Sequence, residues 1–232
     1  KVDNFSAQEK IMWRISVEYC MLYLQHDKNL SSPIHLLEME NKVDFLFDFP
    51  ISIQQQADSV LLKGIIDRVD MVNGKKRIVD YKTGRDELEV KGESLDNDGK
   101  PIFKYFNGDW KNSNKAFIQT MFYTYIYEQI RGVSDVEPNV YCAQKIRSGD
   151  TSFHVKVPYQ PTYPVEGDLL ALAKADFLVF LREKLGELFN PDIPFEHPRD
   201  ATVYDSSVYA AYLNSAVDFG DDDGIEGAFA IS

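Results

Sequence analysis

Residues 64–84 read GIIDRVDMVNGKKRIVDYKTG. Asn73-Gly74 at the centre is the strongest two-residue hairpin signal in a sequence, because both residues accept the positive φ of a type I′ turn. Apolar and polar residues alternate on either side, which is the period of a strand. The stretch therefore predicts strands over 60–72 and 75–82 joined by a tight turn. With Asn73 and Gly74 as the loop, the numbers of facing residues sum to 147, so Val72 opposes Lys75, Asp70 opposes Arg77 and Asp67 opposes Asp80. Alternation puts Ile65, Asp67, Val69, Ile78, Asp80 and Lys82 on one face, and Arg68, Asp70, Arg77, Val79 and Tyr81 on the other.

Two carboxylates directly opposite on one face repel each other. Partly apolar neighbours raise the cost, because desolvation penalises the charged form. A divalent cation between Asp67 and Asp80 offsets this, with oxygen ligands suited to Mg²⁺. Lys82, on the same face, can orient a water or stabilise charge on a phosphate. That is the equipment of metal-assisted phosphodiester hydrolysis. The same spacing also fits a solvated hairpin face, and Asp70 opposite Arg77 is an ordinary cross-strand pair.

The stretch closely resembles the PD-(D/E)XK nuclease superfamily in its RecB-like branch. Asp67 matches the acid of the Gly-x-x-Asp strand, and Asp80 and Lys82 match Asp-x-Lys on the next strand. Gln119 and Tyr123 match the Gln-x-x-x-Tyr motif of the following helix, four apart and so on one helix face. The resemblance implies that Asp67 and Asp80 hold Mg²⁺ or Mn²⁺, with the Tyr81 main-chain carbonyl completing the site. It implies that Lys82 acts on the attacking water or the phosphate, and that Gln119 and Tyr123 position substrate. The family's upstream ligand has no clear match; Glu38 and Glu40, expected just before the first strand, are candidate substitutes. Residues 189–195, FNPDIPF, look like the end of the nuclease domain in AddB-type repair nucleases. The implied protein is a DNA exonuclease of double-strand break repair and recombination, cytoplasmic, working with a helicase region of the same or a partner chain. The alternative is a catalytically degenerate module that binds DNA or a helicase partner. Relatives with an iron–sulfur cluster carry cysteines after this region; residues 201–213 contain none, so no cluster is expected.

The rest of the chain bounds these expectations. Its 232 residues suit one large α/β domain with a small appendage, here 1–200 and 201–232. The chain starts at Lys1, which fits a domain excised from a longer helicase–nuclease chain. No apolar run reaches the roughly 18–20 residues of a membrane span. The net charge is −12, with 25 Lys+Arg against 37 Asp+Glu, a balance that by itself argues against nucleic acid. Its distribution reverses that argument: seven acids and no Lys or Arg follow Arg199, whereas residues 63–147 hold 15 basic and 13 acidic side chains. Cys20 and Cys142 are too few for a four-cysteine metal site and read as buried, reduced thiols.

A mixed sheet with helices on both faces is the expected architecture. Helical spacing of Ile11, Ile15, Tyr19 and Leu22 predicts a helix over 7–26. Alternation over 43–49 predicts a strand ending at Pro50. Residues 84–114 read as a long polar loop; Lys100, Lys104 and Lys111 within it and Lys115 just after it, interleaved with Phe103, Tyr105, Phe106 and Trp110, could grip a nucleic-acid strand. A helix follows to Arg131, closed by Gly132; its Phe117, Phe122, Tyr125 and Tyr127 read as core rather than as base-stacking residues. Strands are expected over 140–146 and 152–157, a long helix over 165–189, a short one over 204–213 and a frayed acidic tail. His26, His35, His154 and His197 have no ligand spacing.

Overall fold

The computed structural model describes residues 5–41, 46–53, 56–83, 88–105 and 115–194. Two compact units divide the chain, Lys1–Asn190 and Pro191–Ser232; of the second, only residues 191–194 are described. In chain order the elements are α1 (Ala7–Lys28), β1 (His35–Asn41), β2 (Leu46–Ile53), β3 (Gln56–Lys63), β4 (Ile66–Val72), β5 (Lys75–Lys82), β6 (Glu89–Leu95), β7 (Pro101–Phe103), α2 (Lys115–Arg131), β8 (Glu137–Cys142), β9 (His154–Lys156), β10 (Thr162–Pro164) and α3 (Gly167–Leu188).

The main sheet has the order β1-β4-β5-β8. Its centre is the hairpin read from sequence: Asn73 and Gly74 have φ of 52° and 77°, and the rungs run from Val72↔Lys75 to Arg68↔Val79. β8 lies parallel to β5, with Lys82 level with Cys142. Parallel neighbours need a crossover, and α2 supplies it.

Both faces of the sheet are covered. Val69 and Ile78 enter the larger core with Val140, with Phe117, Met121 and Ile126 of α2 and with Phe177 of α3. Val79 and Tyr141 pack on the opposite side with Ile146, Leu22 and Tyr23. α1 starts in a capping box, in which Glu9 N–H donates to Ser6 Oγ and Ser6 N–H donates to Glu9 Oε2. A second sheet, β10-β9-β6-β7, and the separate pair β2-β3 complete an α/β fold of mixed sheets with flanking helices, as expected.

Several boundaries differ from the sequence reading. β2 runs through Pro50 to Ile53, because in a two-stranded sheet a missing N–H forfeits no bond to a further strand; residues 43–45 lie outside the described residues. The strand expected over 60–72 is two strands, β3 paired to β2 and β4 paired to β1 and β5, with the break at Gly64-Ile65. β1 was not expected, and it places Glu38 and Glu40 within a strand rather than before the first one. The supposed loop of 84–114 contains β6 and β7. Strand 140–146 stops at Cys142 and gives way to a 3-10 turn, Ile146–Ser148, closed by Gly149 at φ 80°. β9 joins the second sheet, while Ser152 just before it bridges antiparallel to Asn139 of β8. Neither cysteine forms a disulfide, but Cys20 is exposed on α1 while Cys142 is buried. The helix expected over 204–213 lies outside the described residues.

Candidate active site

β4 and β5 bring the two acids to the open end of the hairpin. Asp67 Oδ2 accepts the Tyr81 main-chain N–H at 2.9 Å, just beyond the last paired rung. Asp67 is half-buried and Asp80 is 3% exposed. The Lys82 ammonium lies 2.9 Å from Asp80 Oδ2, so alternation along β5 does put both on one face.

α2 closes the site from that face. The Lys82 ammonium donates to Gln119 Oε1 at 2.6 Å, and Gln119 Nε2 donates to the Tyr123 hydroxyl at 2.9 Å. Asp80, Lys82, Gln119 and Tyr123 thus form one line of polar contacts. The Tyr123 ring needs the bare backbone of Gly64: a Cβ there would lie 3.1 Å from Tyr123 Cδ1 and 3.2 Å from Cε1. Gly64 belongs to the Gly-x-x-Asp pattern, and that was the available signal for its part in the site.

The backbone of Lys82 is anchored from two sides. Its carbonyl accepts the Ala143 N–H at 2.9 Å and the Tyr23 hydroxyl at 3.1 Å. Burial, reinforced by the neighbouring Cys142 thiol, pushes the Tyr23 hydroxyl up to about 12, so it remains a donor throughout the neutral range. Sequence reasoning did not find Tyr23, because its link to the hairpin spans 59 positions of chain.

The other face of the hairpin carries a buried charge cluster larger than the expected Asp70–Arg77 pair. Asp70, 0% exposed, accepts from Arg77 Nε at 2.8 Å and from Arg68 Nε at 2.8 Å. Arg68 also reaches Asp27 Oδ2 of α1 at 2.7 Å and the Tyr81 hydroxyl at 3.0 Å. Tyr141 donates to Asp27 Oδ1 at 2.7 Å. Burial raises the Tyr81 hydroxyl, while the Arg68 guanidinium pulls it back. Two arginines and two aspartates balance, so the cluster fastens α1 to the sheet that carries Asp80 and Lys82.

The remaining candidates lie on β1, in the core or outside the described residues. Glu38 is held by Arg131 at 2.9 and 2.7 Å. Glu40 is exposed, with φ 43°, at the position between the rungs Met39↔Arg68 and Asn41↔Ile66. Among the described residues, no three His, Cys, Asp or Glu side chains gather around one point. Asp67, Asp80 and the Tyr81 carbonyl are hard oxygen donors, which suits Mg²⁺ or Mn²⁺ rather than a soft metal. Phe103 and Tyr105 are core residues, with the Tyr105 hydroxyl donating to the Ala173 carbonyl at 2.8 Å, so they do not line a nucleic-acid channel. Phe117 and Tyr127 are buried in the same core. Phe106, Trp110 and Lys111 lie outside the described residues. Among the described residues no helix is long and apolar enough to cross a membrane.

Compared with protein families, residues 5–200 match the model of the PD-(D/E)XK nuclease superfamily. Neither the curated proteins nor the solved structures contain a match to this chain.

Proposed function

The chain belongs to the PD-(D/E)XK nuclease superfamily, and on that premise we propose that it is a metal-dependent DNA nuclease of the RecB-like, AddB-type branch. The observation that carries this reading is the polar line Asp80–Lys82–Gln119–Tyr123 beside Asp67. In this reading Asp67, Asp80 and the Tyr81 carbonyl hold Mg²⁺ or Mn²⁺, and Glu40 is a further candidate ligand. Held there, such a cation would supply Lewis-acid stabilisation of phosphoryl charge and a lowered pKa of water. Lys82 holds the attacking water or the phosphate oxygen with its ammonium, and Gln119 fixes where that ammonium points. Tyr123 holds Gln119 in turn and faces the incoming strand. The order of Gly-x-x-Asp, Asp-x-Lys and Gln-x-x-x-Tyr, with the 189–195 segment, supports an exonuclease of double-strand break repair. The same resemblance supports a cytoplasmic protein with a nuclease domain over 1–200, acting with a helicase region of its own or a partner chain.

Two measurements test this. Asp80→Ala should abolish Mn²⁺-dependent cleavage of DNA while leaving the thermal transition of the domain in place; undiminished cleavage would overturn the assignment. Calorimetry should detect Mn²⁺ binding that disappears in Asp67→Ala. DNA binding that ignores EDTA, with no cleavage, would instead identify a degenerate DNA-binding module.

A further inference from the structure

α1 is held to the main sheet along one side. Leu22 and Tyr23 pack against Val79 and Tyr141, the Tyr23 hydroxyl reaches the Lys82 carbonyl, and Asp27 joins Arg68. None of the 22 residues of α1 is buried. The side turned away from the sheet is apolar: Val17 is 41% exposed, Trp13 49%, Met21 59% and Leu24 62%, with Cys20 exposed among them. A helix face turned to water is ordinarily polar. Lys10, Trp13, Val17, Cys20 and Leu24 follow one another in steps of three, four, three and four residues. That alternation is the seam of a two-helix coiled coil. At 100° per residue, the four residues from Trp13 to Leu24 fall within roughly 60° of arc, with Met21 beside them.

The charges along this seam have one sign. Arg14, Met21 and Lys28 recur every seven residues on one edge, and Lys10 opens the seam itself. Lys10, Arg14 and Lys28 are exposed and make no ion pair among the described residues. Of the nearby acids, Glu9 is engaged in the capping box with Ser6 and Glu18 pairs with Arg147. In a chain of net charge −12 this edge is a local reversal.

We propose that the outer stripe of α1 docks an amphipathic α-helix of a partner protein, one with apolar residues on its seam and carboxylates on the edge that meets Arg14 and Lys28. Charge complementarity selects this occupant. A second copy of the chain would offer the same basic edge and not the matching carboxylates. An anionic membrane would match the charges, but a helix lying on lipid presents a broad apolar face, whereas this seam is the narrow one of a helix pair. The inference does not depend on the nuclease reading.

The test titrates the full chain with two three-heptad helical peptides. Both carry leucine and isoleucine on the seam; one has glutamate on its edges and the other lysine. In a Trp110→Phe background Trp13 is the one tryptophan left, and its emission should shift to the blue as the glutamate peptide covers it. Calorimetry should show the glutamate peptide binding at least about tenfold more tightly than the lysine peptide. Leu24→Glu should weaken that binding about tenfold or more while leaving the thermal midpoint in place. Arg14→Glu combined with Lys28→Glu leaves the apolar seam intact and should reverse the preference to the lysine peptide. Leu36→Glu, exposed on β1, should change nothing. No binding of the glutamate peptide, or equal affinity for the two peptides, would overturn the proposal. So would tighter binding to phosphatidylcholine–phosphatidylglycerol vesicles than to the glutamate peptide, which would identify a membrane surface. Burial of Trp13 that rises with protein concentration in the absence of peptide would overturn it in favour of a second copy.

Discussion

Gly64 and Gln119 set the position of the site's polar groups without carrying charge themselves. A methyl group on Gly64 would approach the Tyr123 ring to 3.1 Å, inside the roughly 3.5–4.0 Å optimum for carbon pairs. The ring would have to yield, and its hydroxyl bond to Gln119 Nε2 would yield with it. Gly64→Ala should therefore cost about 1–3 kcal/mol of stability, the usual range for overpacking, and should also reduce cleavage. In a double variant with Tyr123→Ala the stability cost should be strongly non-additive, as it is for residues in contact; additive costs in denaturant titrations would refute the steric account. Gln119→Leu removes the acceptor that faces Lys82 while keeping side-chain volume. The ammonium then loses one of its two orienting partners, and kcat should fall about 10- to 100-fold, the range seen when a supporting hydrogen bond is lost from a tuned site. The thermal midpoint should hardly move. A fall in KM affinity with kcat intact would show that Gln119 serves binding rather than orientation of Lys82.

Among the elements, the hairpin β4–β5 carries the candidate site on one face and anchors α1 on the other. Asp70 is the pivot of the anchor, with guanidinium donors from Arg68 and Arg77. Removing one partner of a buried ion pair leaves uncompensated charge and costs roughly 3–5 kcal/mol. Asp70→Ala should reach that range in chemical denaturation, whereas Asp70→Leu combined with Arg77→Met should recover much of the loss; equal instability in both would mean that the cluster matters through packing instead. The hairpin was legible in sequence because its turn chemistry and its period-two pattern agree, and both are local. Gln119 and Tyr123 were legible as a same-face pair for the same reason. β1 was not: HLLEMEN lacks clean alternation, and as an edge strand it leaves Leu36, Leu37 and Met39 exposed. β6 was hidden by its charges, since only Val90 and Gly92 turn inward, the glycine because a Cβ would strike Val157 at 2.7 Å. Tyr23, Asp27 and Tyr141 entered the account only when the fold brought α1 and β8 against the hairpin, since nothing local marks a contact across 59 or 114 positions.

At the scale of the molecule, the attachment of α1 to the sheet makes stability depend on pH. His26 stands edge-on to Tyr141 at 4.9 Å between centroids, and its Nε2 is buried with no hydrogen-bond partner among the described residues. Burial lowers its pKa; the guanidinium groups of Arg77 and Arg68 push in the same direction, and Asp27 opposes them. The folded state therefore resists protonation more than the unfolded state does. As pH falls through the ordinary histidine value near 6.5, the unfolded chain takes up the proton first, and stability declines until the folded pKa is passed. Above about pH 7.5 both states are neutral and the penalty vanishes. Carboxylates in the unfolded chain titrate mostly below this window, near pH 4, so a decline that begins close to 6.5 points to an imidazole. His26→Phe keeps an aromatic ring against Tyr141 and removes the proton site. Its thermal midpoint should fall less than that of the starting chain between about pH 7.5 and pH 5.5. Parallel falls in the two proteins would assign the acid sensitivity to other groups and would free α1 from any part in it.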